Sequence, residues 1–155
     1  MLNIMTNKKK GIKYIKRFNE IYAIILQSDF TTETENIEFF TPGDFSQQLG
    51  YMKRPEKYVI KPHLHNLVQR DVHLTNEVLI IKSGKVRVDF YDLDKKYFES
   101  EILNKGDVIL LALGGHGFEM LEKSEIIEVK QGPYMGDEDK VRFEPSNIIK
   151  KYKKK

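Results

Sequence analysis

The sequence predicts an all-β domain, and three observations lead there. Strand-like runs follow one another at short intervals from Ile37 onward, turn residues separate them, and almost no helical periodicity lies between. The architecture this favours is a barrel or sandwich of nine or so short strands with few or no helices.

In chain order, Glu20–Ser28 is apolar and isoleucine-rich, as a buried strand would be. Ile12, Ile15, Phe18 and Tyr22 equally fit one face of a short helix leading into it. The later runs are Ile37–Phe40, Ser46–Met52, Tyr58–His65, Glu77–Lys82, Lys85–Asp92, Tyr97–Leu103, Asp107–Leu113, His116–Leu121 and Glu125–Gln131. Breaks fall at Thr41-Pro42-Gly43-Asp44, Arg54-Pro55-Glu56, Ser83-Gly84, Leu93-Asp94, Lys105-Gly106 and Gly132-Pro133, residue types that supply turns. Val86, Val88 and Phe90 alternate with Arg87, Asp89 and Tyr91, the mark of a strand with one buried face. Val78–Ile81 is apolar on both faces and predicts a strand covered on both sides. The expected organisation is a basic lead over residues 1–19, a β-domain over 20–134, and a polar arm over 135–155 ending in lysines.

Composition narrows the function classes. A chain of 155 residues with 40% hydrophobic and 32% charged residues reads as one soluble domain. No apolar run approaches the ~20 residues of a membrane helix, and the N-terminus carries no signal-peptide h-region. Cysteine is absent, so a metal would be held by nitrogen and oxygen. These features fit a cytoplasmic protein. The net charge is +3, but Lys8–Lys10 supply three positive charges and Lys150, Lys151, Lys153, Lys154 and Lys155 five, which leaves the body near −5. A mildly acidic body with basic ends argues against nucleic acid. Exposed sheet edges and an apolar N-terminal strand predict a homodimer.

All four histidines, His63, His65, His73 and His116, fall in one stretch with Glu77. Two imidazoles one residue apart on a strand share a face, and burying them is costly unless something binds them. Gly114-Gly115 permits a tight turn that aims His116 inward. Glu77 opens an apolar strand and needs a cation or donors there, a metal or a residue such as Arg70. His73 is open to three roles: a further donor, an acid–base group or a loop residue. Arg70 has two, binding an anionic substrate group or pairing with an acidic neighbour. Lys61 shares the strand parity of His63, although Pro62 disturbs the strand. Tyr51, Phe118 and Met120 suit either a pocket lining or core packing.

Residues 57–116 resemble the cupin superfamily, whose first motif reads G(x)5HxH(x)3–4E(x)6G and whose second reads G(x)5PxG(x)2H(x)3N. Lys57 stands at the leading glycine, His63 and His65 form the HxH pair, Glu77 is the carboxylate, and Gly84 follows after six intervening residues. Eleven residues separate His65 from Glu77 where the motif has three or four. Gly106, Gly114 and His116 correspond to the second motif, with Ala112 in place of proline, the histidine one residue early and Met120 in place of asparagine. An alternative alignment uses Asp71-Val72-His73 as the HxH counterpart.

The resemblance implies a double-stranded β-helix, a cupin or jelly-roll barrel. It also implies one divalent metal (Fe, Mn, Ni or Zn) on His63, His65, Glu77 and His116, with His73 as the substitute fourth ligand. Catalytic residues stay unassigned, His73 and Arg70 being the candidates. Three functions follow as expectations. One is a metal-dependent isomerase, epimerase, lyase or dioxygenase acting on a small polar, sugar-related molecule. Another is a non-catalytic module that binds a metal or small ligand. The last is a metal-free sugar-nucleotide isomerase or epimerase.

Overall fold

The computed structural model describes residues 9–145; the lysine-rich tail and Lys8 lie outside the described residues. Ten strands and one 3-10 turn make up the regular structure: β1 (Ile12–Arg17), β2 (Glu20–Leu26), β3 (Ile37–Phe39), β4 (Gly50–Met52), β5 (Glu77–Ser83), β6 (Lys85–Tyr91), β7 (Tyr97–Asn104), β8 (Val108–Leu111), β9 (Gly115–Met120), β10 (Glu125–Lys130) and the turn Gly136–Asp139. The all-β expectation holds. The strands form three antiparallel sheets: five strands in the order β1-β2-β8-β5-β10, three in the order β7-β6-β9, and the β3–β4 ribbon. Among the described residues no sheet closes on itself. No helix is long and apolar enough to cross a membrane.

The sheets stack because alternate residues of each strand are apolar. Ala23, Ile25, Leu79, Ile81, Ile109 and Leu111 of the five-stranded sheet meet Val86, Val88, Phe90 and Leu103 of the three-stranded sheet in the main core. Ile24 and Leu110, on the opposite face, pack with Phe30 and Phe40 beneath the β3–β4 ribbon, and Val78 joins them. The central sheet is therefore covered on both sides, as the two-faced apolar run of β5 predicts. One residue, Gly84, turns the chain from the first sheet into the second. Its φ is +83°, and a Cβ there would lie 2.3 Å from Ser124 Oγ and 2.4 Å from the Lys123 carbonyl oxygen, so only glycine fits.

Four expectations are corrected. The lead before Glu20 is not helical: Ile12–Arg17 pairs with β2 as a hairpin, turned by Phe18 and Asn19 at φ 50° and 65°. Two successive left-handed residues match the twist of hairpin strands, and the β-domain thus starts ahead of residue 20. Ser46–Met52 shortens to Gly50–Met52. Tyr58–His65 is not a strand; residues 53–76 contain no strand or helix, and every residue from 55 to 75 is exposed. The run has strand-forming residues but no neighbouring strand to satisfy its backbone, and Pro62 lacks a donor.

The fourth correction concerns β6, which is buried on both faces. Arg87 and Asp89 pair with each other on its outer side, and Tyr91 stacks edge-on against Phe143 at 5.2 Å. The C-terminal arm thus reaches back over the three-stranded sheet.

Candidate functional site

Glu77 is the first residue of β5 and shares the inward parity of Leu79 and Ile81. His116 lies opposite Phe90 in the β6–β9 pairing and points to the same interior as Phe118 and Met120. Its strand follows a sharp turn at Gly114 (φ +73°), where a Cβ would come within 2.4 Å of the Tyr22 ring. The two sheets therefore bring an imidazole and a carboxylate together across their interface. His116 Nε2 donates to Glu77 Oε2 at 3.1 Å.

That hydrogen bond is the main reason the Glu77 carboxyl sits below its ordinary pKa of 4.5; burial pushes the other way, and His116, Lys140 and Lys130 add positive field. Glu77 is accordingly ionised at neutral pH. A neutral His116 that gives Nε2–H to it keeps Nδ1 as an acceptor.

The pair opens onto a cavity of about 910 Å³ bounded by β5, β6, β9 and residues 139–145 of the arm. Phe118, Tyr91, Arg87 and Glu128 line it with the pair. A smaller cavity of about 240 Å³ adjoins it and also touches His116. On the outer face of β6, Arg87 donates to both oxygens of Asp89 at 2.8 and 3.0 Å and bridges Glu119 at 2.7 Å. Ser100 donates to Asp89 at 2.5 Å and also contacts the Tyr97 hydroxyl at 2.8 Å. The Asp89 bond is the chief cause that holds Arg87 above its ordinary pKa.

The expected metal set divides into two halves. Glu77 and His116 form one. His63 and His65 form the other, with ring centroids 5.3 Å apart, and both lie in the exposed segment. His63 Nδ1 is 3.1 Å from the Lys61 carbonyl oxygen. Among the described residues no group of three or more His, Cys, Asp or Glu is arranged to hold a metal. Of the four expected ligands, Glu77 and His116 line the cavity, while His63 and His65 are not among its lining residues. His73, Arg70 and Lys61 also sit in the exposed segment. Glu77 pairs with His116 rather than with Arg70.

Tyr51 belongs to the core, packed edge-on against Phe30 at 5.0 Å. Phe118 lies 5.5 Å from the His116 ring, at the cavity. Arg87, Asp89 and Tyr91 are cavity residues that sequence reasoning assigned to a solvent face. The signal available for them was an Arg-x-Asp pair at strand spacing, which places both charges side by side.

Comparison with family models, with curated proteins and with solved structures finds no match for this chain.

Proposed function

We propose that this chain is a cupin-type β-sandwich that binds a small polar molecule in the Glu77–His116 cavity and moves a proton on it. The observation that carries this reading is the 3.1 Å His116–Glu77 bond at the wall of a roughly 910 Å³ cavity. A carboxylate that holds one ring nitrogen fixes the imidazole's tautomer and orientation. His116 Nδ1 then takes a proton from a hydroxyl-bearing carbon beside a carbonyl to leave an enediolate. Returning it to the former carbonyl carbon, as the hydroxyl proton passes to the other oxygen, isomerises the molecule. Delivery of a proton by a second group to the opposite face of the original carbon epimerises it. This is the isomerase or epimerase chemistry of the metal-free expectation, and Tyr91 at the same cavity is a second candidate proton carrier.

The test is incubation of the protein with keto- and aldo-sugar derivatives in D2O, followed by mass spectrometry. The expected result is deuterium at the carbon next to the carbonyl, at least a hundredfold slower in His116→Ala and in Glu77→Gln. Incorporation unchanged in both variants would overturn the assignment.

A second reading, a divalent-metal centre, is favoured by the close pairing of the His63 and His65 rings. Neutral imidazole and carboxylate donors suit Zn, Ni, Fe or Mn. Elemental analysis of the purified protein tests it directly.

A further inference from the structure

We infer that residues 55–75 form an arm exchanged between two copies of this chain, and that the arm of one copy brings His63 and His65 to the Glu77–His116 pair of the other. The inference rests on the second, metal-centre reading for its chemistry but not for the exchange itself.

The arm is tied down at both ends and nowhere between. Lys53 donates to the Thr32 carbonyl at 2.8 Å and Arg54 to the Glu35 carbonyl at 2.9 Å. At the other end, buried Asn76 donates to the Ala112 carbonyl at 3.0 Å and receives Ser46 at 3.0 Å. Among the described residues, no side chain or backbone group from 59 to 74 bonds to another element. Yet the arm is not built like a solvated loop. Tyr58, Val59, Ile60, Leu64, Leu67 and Val68 are all exposed, Leu64 at 94% and Leu67 at 104%. Ordered apolar segments of this length without structure of their own are uncommon in a compact domain and call for a partner.

The body carries a matching vacancy at one edge of the sandwich. At the opposite edge, between β1 and β7, Lys13 closes the gap to Glu101 at 2.7 Å. Between β9 and β10 no hydrogen bond or ion pair joins the strands among the described residues, and only residues 139–145 border the cavity there. Among the described residues β9 is an edge strand that pairs with β6 alone, and its inward-facing Phe118 and Met120 are still 37% and 49% exposed. Strand addition at such an edge satisfies the free backbone groups and covers the apolar face.

The run 58–65 suits the six residues of β9 in length and in strand-forming composition. His63 and His65 share one parity, so a strand laid beside β9 with both facing inward puts them on the face of His116. Out and back, 21 residues reach about 35 Å, enough to cross to a second copy. Reciprocal exchange of the same segment closes a two-fold dimer with two equal sites. Each site then has three imidazoles and one carboxylate.

Two measurements on the full chain test this. The first is light scattering of the wild type and of Val59→Asp/Leu64→Pro, which puts a charge on the inward face and removes a strand donor. Because residues 59–74 bond to no other element of their own chain among the described residues, the variant keeps the β-sheet circular dichroism and cooperative unfolding of a folded body. The expected result is a wild-type dimer and a monomeric variant. A monomeric wild type, or a dimer untouched by the variant, overturns the exchange.

The second measurement is Zn(II) titration of His63→Ala/His65→Ala, of Glu77→Gln/His116→Ala, and of the two unfolded and refolded together. Each variant alone should bind at least tenfold more weakly than wild type. The mixture should regain about one quarter of the wild-type stoichiometry, since half the dimers carry one intact site. Recovery of nothing, with wild type binding stoichiometrically, overturns exchange in favour of sites within one chain. A wild-type dimer that the arm variant dissociates but that binds no zinc overturns the metal centre and leaves the exchange standing.

Discussion

Replacing Asp89 by alanine would leave the Arg87 guanidinium buried beside a single carboxylate. Arg87 and Asp89 are 7% and 3% exposed, and the substitution removes two charge-assisted bonds together with the Ser100 contact. Breaking a buried pair by removing one partner costs about 3–5 kcal/mol. Glu119 still reaches Arg87 at 2.7 Å, but its side chain is 58% exposed and bonds through a water-screened medium. We therefore expect the lower end, about 3 kcal/mol. For a chain of this size that lowers Tm by roughly 6–12 °C.

Urea titration followed by circular dichroism measures the loss, and an unchanged m-value shows that the unfolded surface is the same. The double variant Arg87→Met/Asp89→Leu removes both charges at similar volume and should fall within about 1 kcal/mol of wild type. A single variant that loses under about 1 kcal/mol, or a double variant as unstable as the single, would refute the reasoning.

Two further expectations follow from single positions. Gly84→Ala forces a left-handed φ on an L-residue and drives Cβ into Ser124 and Lys123; it should cost at least about 2 kcal/mol by the same titration. Burial and the neighbouring Glu101 raise the Glu99 pKa above 4.5. A raised carboxyl contributes stability that is full below the unfolded value and is lost as pH rises through the folded one. Glu99→Gln should therefore match wild type near pH 3 and exceed it at pH 7, in paired melts at the two values.

Much of the β-domain is legible in the sequence because its strands announce both period and punctuation. Val86-Arg87-Val88-Asp89-Phe90 alternates, and Gly84 and Gly106 mark the breaks. Periodicity says which face is apolar, but not which strand lies alongside. Tyr58–His65 has the residues of a strand and none of the neighbours within its own chain. For the same reason β6 reads as half-exposed, since the cover over Tyr91 comes from Phe143, more than fifty residues away. Glu77 and His116 stand out in the sequence by the motif spacing, and the structure brings them into contact. His63 and His65 carry the same signal, yet their position depends on where the arm lies, which local pattern does not encode.

Gly84 joins the two sheets like the spine of a book, and the Glu77–His116 bond sits at the far edge of the covers. Seven residue steps of extended chain run from Glu77 to Gly84, a lever of about 23 Å. A rotation of only about 2–3° at that spine moves the carboxylate by about 1 Å, a displacement large enough to cost about a hundredfold in a positioned reaction. The tight contact of Gly84 with Lys123 and Ser124 therefore sets the aperture at the opposite end of the sandwich, and small changes at this corner should be read as changes in alignment at His116.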